Sequence, residues 1–333
     1  MPSDDIFFAK VIADSVSEEG VRITTLHLRY PRIIHAELMT HRVFSRNARS
    51  SRAVPVKTML AEVRTNPFIP WHWGKNQKGM QASEECNAPV EIFNSENLHD
   101  EENSFGVNTD SHSRESAWRL AAQCAVGFAE AFSDAGYHKQ IANRLLEPFM
   151  YIDVLVTSTS WANWFSLRDH KDAEPHIADL ARLMKIAMEQ SAPRLLTKGQ
   201  WHLPYISEAD ADAVEDYLEP YPETTHPTID VLKRLSVARC ARISYKPFDG
   251  DASVEKELER YWLLVGSTPL HASPAEHQAT PDTLLETTLY DNGGHWIGPS
   301  QEWDAAELHG NFEGWIQYRK TLPNEYVRDQ RAA

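Results

Sequence analysis

The chain has 333 residues, 42% of them hydrophobic, with 33 Lys and Arg against 48 Asp and Glu and a formal charge of −15. That length admits one large domain or two ordinary ones, and the acidic balance weighs against a nucleic-acid polymer as partner, which needs a broad basic surface. Three scattered cysteines (Cys86, Cys124, Cys240), no run of about 20 apolar residues and an N-terminus without a signal-peptide pattern lead us to expect a reduced, soluble, cytoplasmic protein with no disulfide framework and no membrane span.

Val21–Tyr30 is β-branched and apolar and reads as a strand that Pro31 ends. A helix is expected from about Pro31–Ile34, carrying Glu37, His41 and Arg42 on successive turns. Asn66–Met80 holds Pro67, Pro70, Trp71, Trp73 and Gly74 and suits an ordered irregular loop, its aromatics better read as core plugs than as a ligand wall. Glu91–Asn108 is polar and reads as an exposed excursion. Glu115–Ala135 has apolar residues at helical spacing, and Tyr137–Leu146 reads as a second helix stopped before Pro148. Met150–Thr157 reads as a short buried strand, Ser160–Asp169 and Ala173–Glu189 as further helices, and Pro193 closes that block. The acidic, Pro-containing stretch 208–224 is the best linker, followed by a helix over Pro227–Ala241. Helical and strand segments together predict an α+β class.

Within this acidic chain, Leu38–Ala61 contains no carboxylate but carries Arg42, Arg46, Arg49, Arg52 and Lys57. Arg offers planar paired donors to phosphate or to base carbonyls, and Ser45, Asn47, Ser50 and Ser51 add short neutral donors. A solvated basic face is the plain alternative. No Gly-x-Gly-x-x-Gly fingerprint supports a Rossmann nucleotide site, and no His-Glu-x-x-His a zinc hydrolase, so no metal ligand is assigned. No cysteine has a His beside it that would activate a thiolate.

The order His41-Arg42, seven residues, Ser50, then Arg52 resembles the Arg-His-Arg-x7-Ser signature of the flavin-dependent thymidylate synthases. Asn47 and Ser45 fall in register with it; Thr40 stands where that family usually has its first Arg, and Ala48 where a Glu usually follows the Asn. Asn163-Trp164-Phe165-Ser166-Leu167-Arg168 is similar to the family's Asn-Phe-Leu-x-Leu-Arg helix, Ala173–Ile177 to its Ala-Gln-x-Glu-Ile, and Arg144–Pro148 to its Arg-x-x-x-Pro. Cys240–Tyr245 and Ser273-Pro-Ala-Glu-His277 resemble elements that precede the signature in the family but follow it here.

The resemblance implies a flavin-dependent thymidylate synthase-like fold, a sheet flanked by helices, with its parts in circularly permuted order. Residues 1–207 would form the core with the nucleotide and FAD site, 208–224 the join, and 225–333 either the permuted part of the same fold or an accessory domain. It implies C5-methylation of dUMP, or also of UMP, with FAD as cofactor and NADPH and methylenetetrahydrofolate as cosubstrates, in a homotetramer with shared sites. By the same resemblance Arg168 and Ser50 are catalytic; Arg52, Ser50, Ser51, Arg144, Arg168 and Glu37 bind the nucleotide; and His41, Arg42, Asn47, Asn163, His277 and Ser273 bind the flavin. Ala48, lacking a carboxylate beside the nucleotide, raises the expectation that the ribose of UMP is accepted. A hydroxymethyl transfer and a non-catalytic nucleotide-binding relative stay open as alternatives.

Overall fold

Phe8–Ser17 (β1) and Arg22–Pro31 (β2) pair antiparallel across a turn in which Gly20 adopts φ +79°, a left-handed conformation that suits a residue without Cβ. In the computed structural model, residues 5–93, 109–220, 227–244, 251–267, 270–290, 295–323 and 325–326 are described. β2 is the strand expected from its β-branched run. The helix expected after it is much shorter. A 3-10 turn, Arg32–Ile34, leads into His35–Leu38 (α1), and there the helix stops. Thr40 donates both its N–H and its hydroxyl to the Glu37 carbonyl, closing the last turn. His41 and Arg42 therefore lie in the loop beyond α1, not on a further helical turn.

The chain then forms the edge strand Ser45–Ala48 (β3) and the amphipathic helix Val56–Thr65 (α2). Val90–Phe93 (β4) pairs with Thr109–His112 (β5); residues 94–108 of the expected polar excursion lie outside the described residues. Arg114–Asp134 (α3) starts at Ser113, whose hydroxyl accepts from Ser116 N–H as an N-cap. The single helix expected over Tyr137–Leu146 is instead Lys139–Ala142 (α4) followed by a 3-10 segment, Asn143–Phe149, that contains Pro148. Buried Asn143 donates to the carbonyls of Ser51 and Val54, and this anchoring to the preceding loop redirects the chain there. Tyr151–Ser158 (β6) is buried along its whole length, as its apolar run predicts. Ala162–Arg168 (α5) and Pro175–Glu189 (α6) follow, the latter with Pro175 in its first turn and Glu174 capping Ile177 N–H.

Arg194–Leu196 (β7) completes a five-stranded mixed sheet in the order β3-β6-β2-β1-β7, antiparallel except for the β1–β7 pair. Period-two alternation gives the sheet two different faces. Leu26, Leu28, Tyr30, Val154 and Val156 pack against Ile177, Leu180, Ala181 and Met184 of α6. The intervening residues Thr25 and Thr157 are just as buried but polar, and they face the C-terminal third of the chain.

That third is helical first. The stretch expected as a linker begins as Glu208–Leu218 (α7), nucleated by a reciprocal Ser207–Asp210 capping box. Its Val214 packs with Val231, Leu232 and Leu235 of Thr228–Ala241 (α8), and so the acidic composition marks an exposed helix face, not an extended tether. Residues 221–226 lie outside the described set, as does Tyr245. Val254–Val265 (α9), Ala279–Pro281 (β8), Leu284–Tyr290 (β9), Trp296–Trp303 (β10) and Trp315–Gln317 (β11) follow, paired β8–β11 and β9–β10. Phe312, Trp315 and Ala279 share one core with Ile23 and Leu196 of the main sheet. Among the described residues no helix is long and apolar enough to cross a membrane.

Candidate active site

Arg168 ends α5 with its guanidinium held by three acceptors from the end of α1 and the turn that follows it. Its Nη1 donates to Glu37 Oε2 at 3.4 Å, its Nη2 to Thr40 Oγ1 at 3.2 Å and its Nε to His41 Nε2 at 3.2 Å. The adjacent Asp169 pairs instead with Arg182 and Lys185. His41 is 7% exposed, stacked on Phe44 and edge-on to Trp164 with ring centroids 4.7 Å apart. Accepting from Arg168 places its proton on Nδ1. Burial, reinforced by Arg168 and Arg46, lowers its pKa, so the ring is neutral. Burial, with Glu174 nearby, raises the pKa of Glu37, opposed by Arg168. The buried Trp164 indole N–H has no hydrogen-bond partner among the described residues. Arg42 and Asn163 are exposed beside this cluster, and neither side chain has a partner among the described residues.

A second locus lies at the other end of β3, about 10 Å further at roughly 3.3 Å per residue. Glu147 Oε1 receives the Ser51 hydroxyl at 2.8 Å, Arg144 Nη1 at 3.1 Å and Arg32 Nη2 at 3.1 Å. One carboxylate thus faces two guanidiniums, leaving surplus positive charge. Exposed Arg52 adds to it, and its backbone N–H binds Ser50 Oγ at 3.2 Å, leaving the Ser50 hydroxyl hydrogen free to donate outward. His35, between the loci, has its pKa lowered to about 4, chiefly by burial and then by Arg32 and Arg46. This donor set can hold a phosphate.

The segment expected as one cationic site is therefore divided. Arg49 is locked in a bidentate pair with Glu62 at 2.9 and 2.7 Å, and Arg46 donates to the Met39 carbonyl. Asn47, expected at the flavin, donates to Cys240 O at 2.7 Å instead, because the strand's alternation turns it to the face that the C-terminal third covers. His277 is on that same face and fully buried, its Nδ1 2.8 Å from Thr157 Oγ1 and its Nε2 without a partner among the described residues. Burial, with His202 adding to it, lowers its pKa to about 3. It is enclosed where a flavin contact needs an open ring, and it lies across the sheet from Arg168. Ser273 begins the 3-10 turn leading to it and is half-buried.

The structure thus joins Glu37, His41 and Arg168, and separately Ser50, Ser51, Arg52 and Arg144. The sequence reading missed Arg32, Glu147 and the contact made by Thr40. Glu147 sits inside the Arg144–Pro148 motif at i+3 from Arg144, a spacing that brings helical neighbours together and could have pointed to it. Arg32 had no comparable signal.

The family model described as thymidylate synthase complementing protein matches residues 18–194, more than half of the chain and the stretch that holds both loci. Among solved structures, a UMP/dUMP methylase from Streptomyces cacaoi bound with 5-Br UMP is 17% identical, over 55% of this chain and 88% of that one, with a TM-score of 0.40. A flavin-dependent thymidylate synthase from Helicobacter pylori complexed with FAD and dUMP is 18% identical, over 50% of this chain and 67% of that one, with a TM-score of 0.30. No curated protein matches the sequence.

Proposed function

The chain belongs to the thymidylate synthase complementing protein family, and from that premise we propose that it is a flavin-dependent enzyme that methylates C5 of a uridine 5′-monophosphate. The observation that carries the reading is the Arg168 guanidinium fixed by Glu37, Thr40 and His41 inside the family-matched region. A guanidinium has five N–H donors; three are engaged, and one remains on each terminal nitrogen. Two pre-aimed donors suit a uracil edge, where they would stabilise negative charge that develops on a carbonyl and N3 as C5 becomes nucleophilic. Neutral His41 holds Arg168 without competing for that charge. Arg52, Ser50 and Arg144, supported by Arg32, Ser51 and Glu147, would take the nucleotide phosphate and sugar.

The chain's residues fit FAD at the α5 end of the site. Exposed Arg42 and the Asn163 amide stand ready as donors beside the aromatic floor of His41 and Trp164, whose buried indole N–H has no partner among the described residues. Bound there, FAD would supply the hydride, with NADPH as its source and methylenetetrahydrofolate as the one-carbon donor. Arg168 orients the base against that surface, and the Phe44, Trp161 and Trp164 cluster behind it excludes water.

The family resemblance further implies a homo-oligomeric assembly in which Arg42 and Arg144 of one site come from different subunits. The chain order fits a circular permutation, with residues 225–333 completing the fold that the family match leaves at 194. What supports this is the seating of Ser273–His277 and Gln317 against β3 and β6, through Thr157–His277 and Ser45–Gln317. Ala48 supports turnover of UMP as well as dUMP.

The test is a visible absorbance spectrum of the purified protein with FAD, then anaerobic addition of NADPH with and without UMP or dUMP. Flavin bound and bleached faster with a nucleotide present is the expected result and identifies the acceptor. Binding of nucleotide by a protein that takes up no flavin would overturn the enzyme in favour of a nucleotide-binding relative.

A further inference from the structure

We propose that Thr40 is the positioning residue that aims Arg168 at its ligand, an inference that rests on the nucleotide reading of the site. The hydroxyl of Thr40 has one hydrogen, and it points at the Glu37 carbonyl, 2.7 Å away. Its oxygen therefore meets Arg168 only as an acceptor, and Nη2 donates to it at 3.2 Å. With Nη1 on Glu37 and Nε on His41, each guanidinium nitrogen has its own acceptor, and all three acceptors lie within five residues of chain. Two anchors on a planar fork leave it free to pivot toward either terminal nitrogen's acceptor; a third fixes both its plane and its direction. The neutral oxygen matters because it leaves the two remaining N–H donors fully positive. A second carboxylate here would draw them inward and satisfy them.

An Arg at this position would act in the opposite sense. It has no acceptor to offer Nη2, it brings a like charge into the same turn, and it competes with Arg168 for the Glu37 carboxylate. The departure of Thr40 from the pattern noted in the sequence is thus matched to the way Arg168 is held. Thr40 is exposed, so its replacement leaves the core untouched.

The experiment titrates FAD-loaded protein with UMP and dUMP calorimetrically and follows thermal unfolding of the same samples, for wild type, Thr40→Val, Thr40→Ser and Thr40→Arg. Thr40→Val should weaken nucleotide binding about tenfold, the equivalent of about 1.4 kcal/mol, with FAD uptake and unfolding midpoint little changed. Thr40→Ser should bind within about twofold of wild type, and Thr40→Arg at least as weakly as Thr40→Val. Wild-type affinity in Thr40→Val, equal losses in Val and Ser, or tighter binding in Thr40→Arg overturns the positioning role while leaving the nucleotide site in place. A wild-type protein that binds neither nucleotide overturns the parent reading, and this one with it.

Discussion

Asn47 donates its side-chain amide to the carbonyl of Cys240 at 2.7 Å, joining the edge strand β3 to the end of α8 across 193 positions of sequence. Two further side-chain contacts fall on the same face: Gln317 Nε2 donates to Ser45 Oγ at 3.1 Å, and Thr157 Oγ1 meets His277 Nδ1 at 2.8 Å. A sheet with α6 on one side needs cover on the other, or its buried polar residues would be left wet and its apolar edge exposed. Residues from the C-terminal third provide that cover.

The covering interface should contribute strongly to stability. Trp315 is fully buried among Ile23, Leu196, Ala279 and Phe312, and its indole N–H donates to Val21 O at 3.1 Å. Trp315→Ala removes that packing and one of the two donors to the Val21 carbonyl, which keeps Ser17 N–H, for an expected loss of about 3–5 kcal/mol. Urea unfolding followed by circular dichroism would measure it. A loss below about 1 kcal/mol would mean that the C-terminal third is only loosely seated.

Acid should destabilise the protein in a window set by buried imidazoles. His202 and His277 are fully buried, each with its pKa lowered to about 3, first by burial; His202 is helped in this by Arg194 and opposed by Asp14, and His277 is helped by His202. They are joined through Thr25 and Thr157 by contacts of 2.7 and 2.8 Å. With folded pKa values below the unfolded value near 6.5, the contribution is fully present above about pH 6.5. It is lost as pH falls toward about 3, because the unfolded chain takes up protons that the folded one refuses. At about pH 5 each ring should cost up to about 2 kcal/mol relative to neutral pH. His277→Gln, which keeps a polar group against Thr157, should flatten this dependence. Equal slopes for wild type and variant between about pH 7 and pH 5 would exclude His277 as a contributor.

Much of this was legible in the chain because local signals and tertiary packing agree. The β-branched run of β2, the apolar run of β6 and the helical spacing of α3 and α6 appear close to where the sequence places them. The motif order also pointed to Arg168 and His41, and the two do meet. What was hidden depends on contacts distant in sequence or on competition within a turn. Thr40 closes α1 through its hydroxyl, so the expected helix ends before His41. Asn47 and His277 carry side chains suited to a ligand, but the pleat aims them at a covered face, and a motif does not reveal which face is covered. The acidic stretch 208–218 was read from composition alone, while the Ser207–Asp210 box that makes it a helix was a local signal present in the sequence.

Replacing Arg168 by Lys tests the fork itself. A single ammonium cannot reach three separate acceptors and still offer two parallel donors outward. Arg168→Lys is expected to lower kcat/KM for the nucleotide by about 10- to 100-fold, or roughly 1.4–3 kcal/mol, with FAD still bound. The unfolding midpoint should move little, since the fork lies at the edge of the site and the aromatic cluster behind it is retained. Unchanged kcat/KM would remove Arg168 from the substrate contact assigned to it.

Ala48 sets up the last expectation. It is half-buried on β3, between the Arg168 locus and the Ser50–Arg52 locus, where a nucleotide sugar bridging base and phosphate would pass. Its methyl group packs against the core and offers no carboxylate toward that path, which is the basis for expecting a ribose 2′-hydroxyl to be tolerated. A carboxylate at the same place would crowd that hydroxyl and repel the phosphate of a poorly seated nucleotide. Ala48→Glu should therefore shift the kcat/KM ratio toward dUMP over UMP by about tenfold or more, the scale set by one misplaced polar group in a specificity pocket. Competition between the two nucleotides in one reaction measures the ratio directly. An unchanged ratio in a variant that still binds FAD would show that the sugar lies elsewhere, and that discrimination between ribose and deoxyribose is set by another surface of the site.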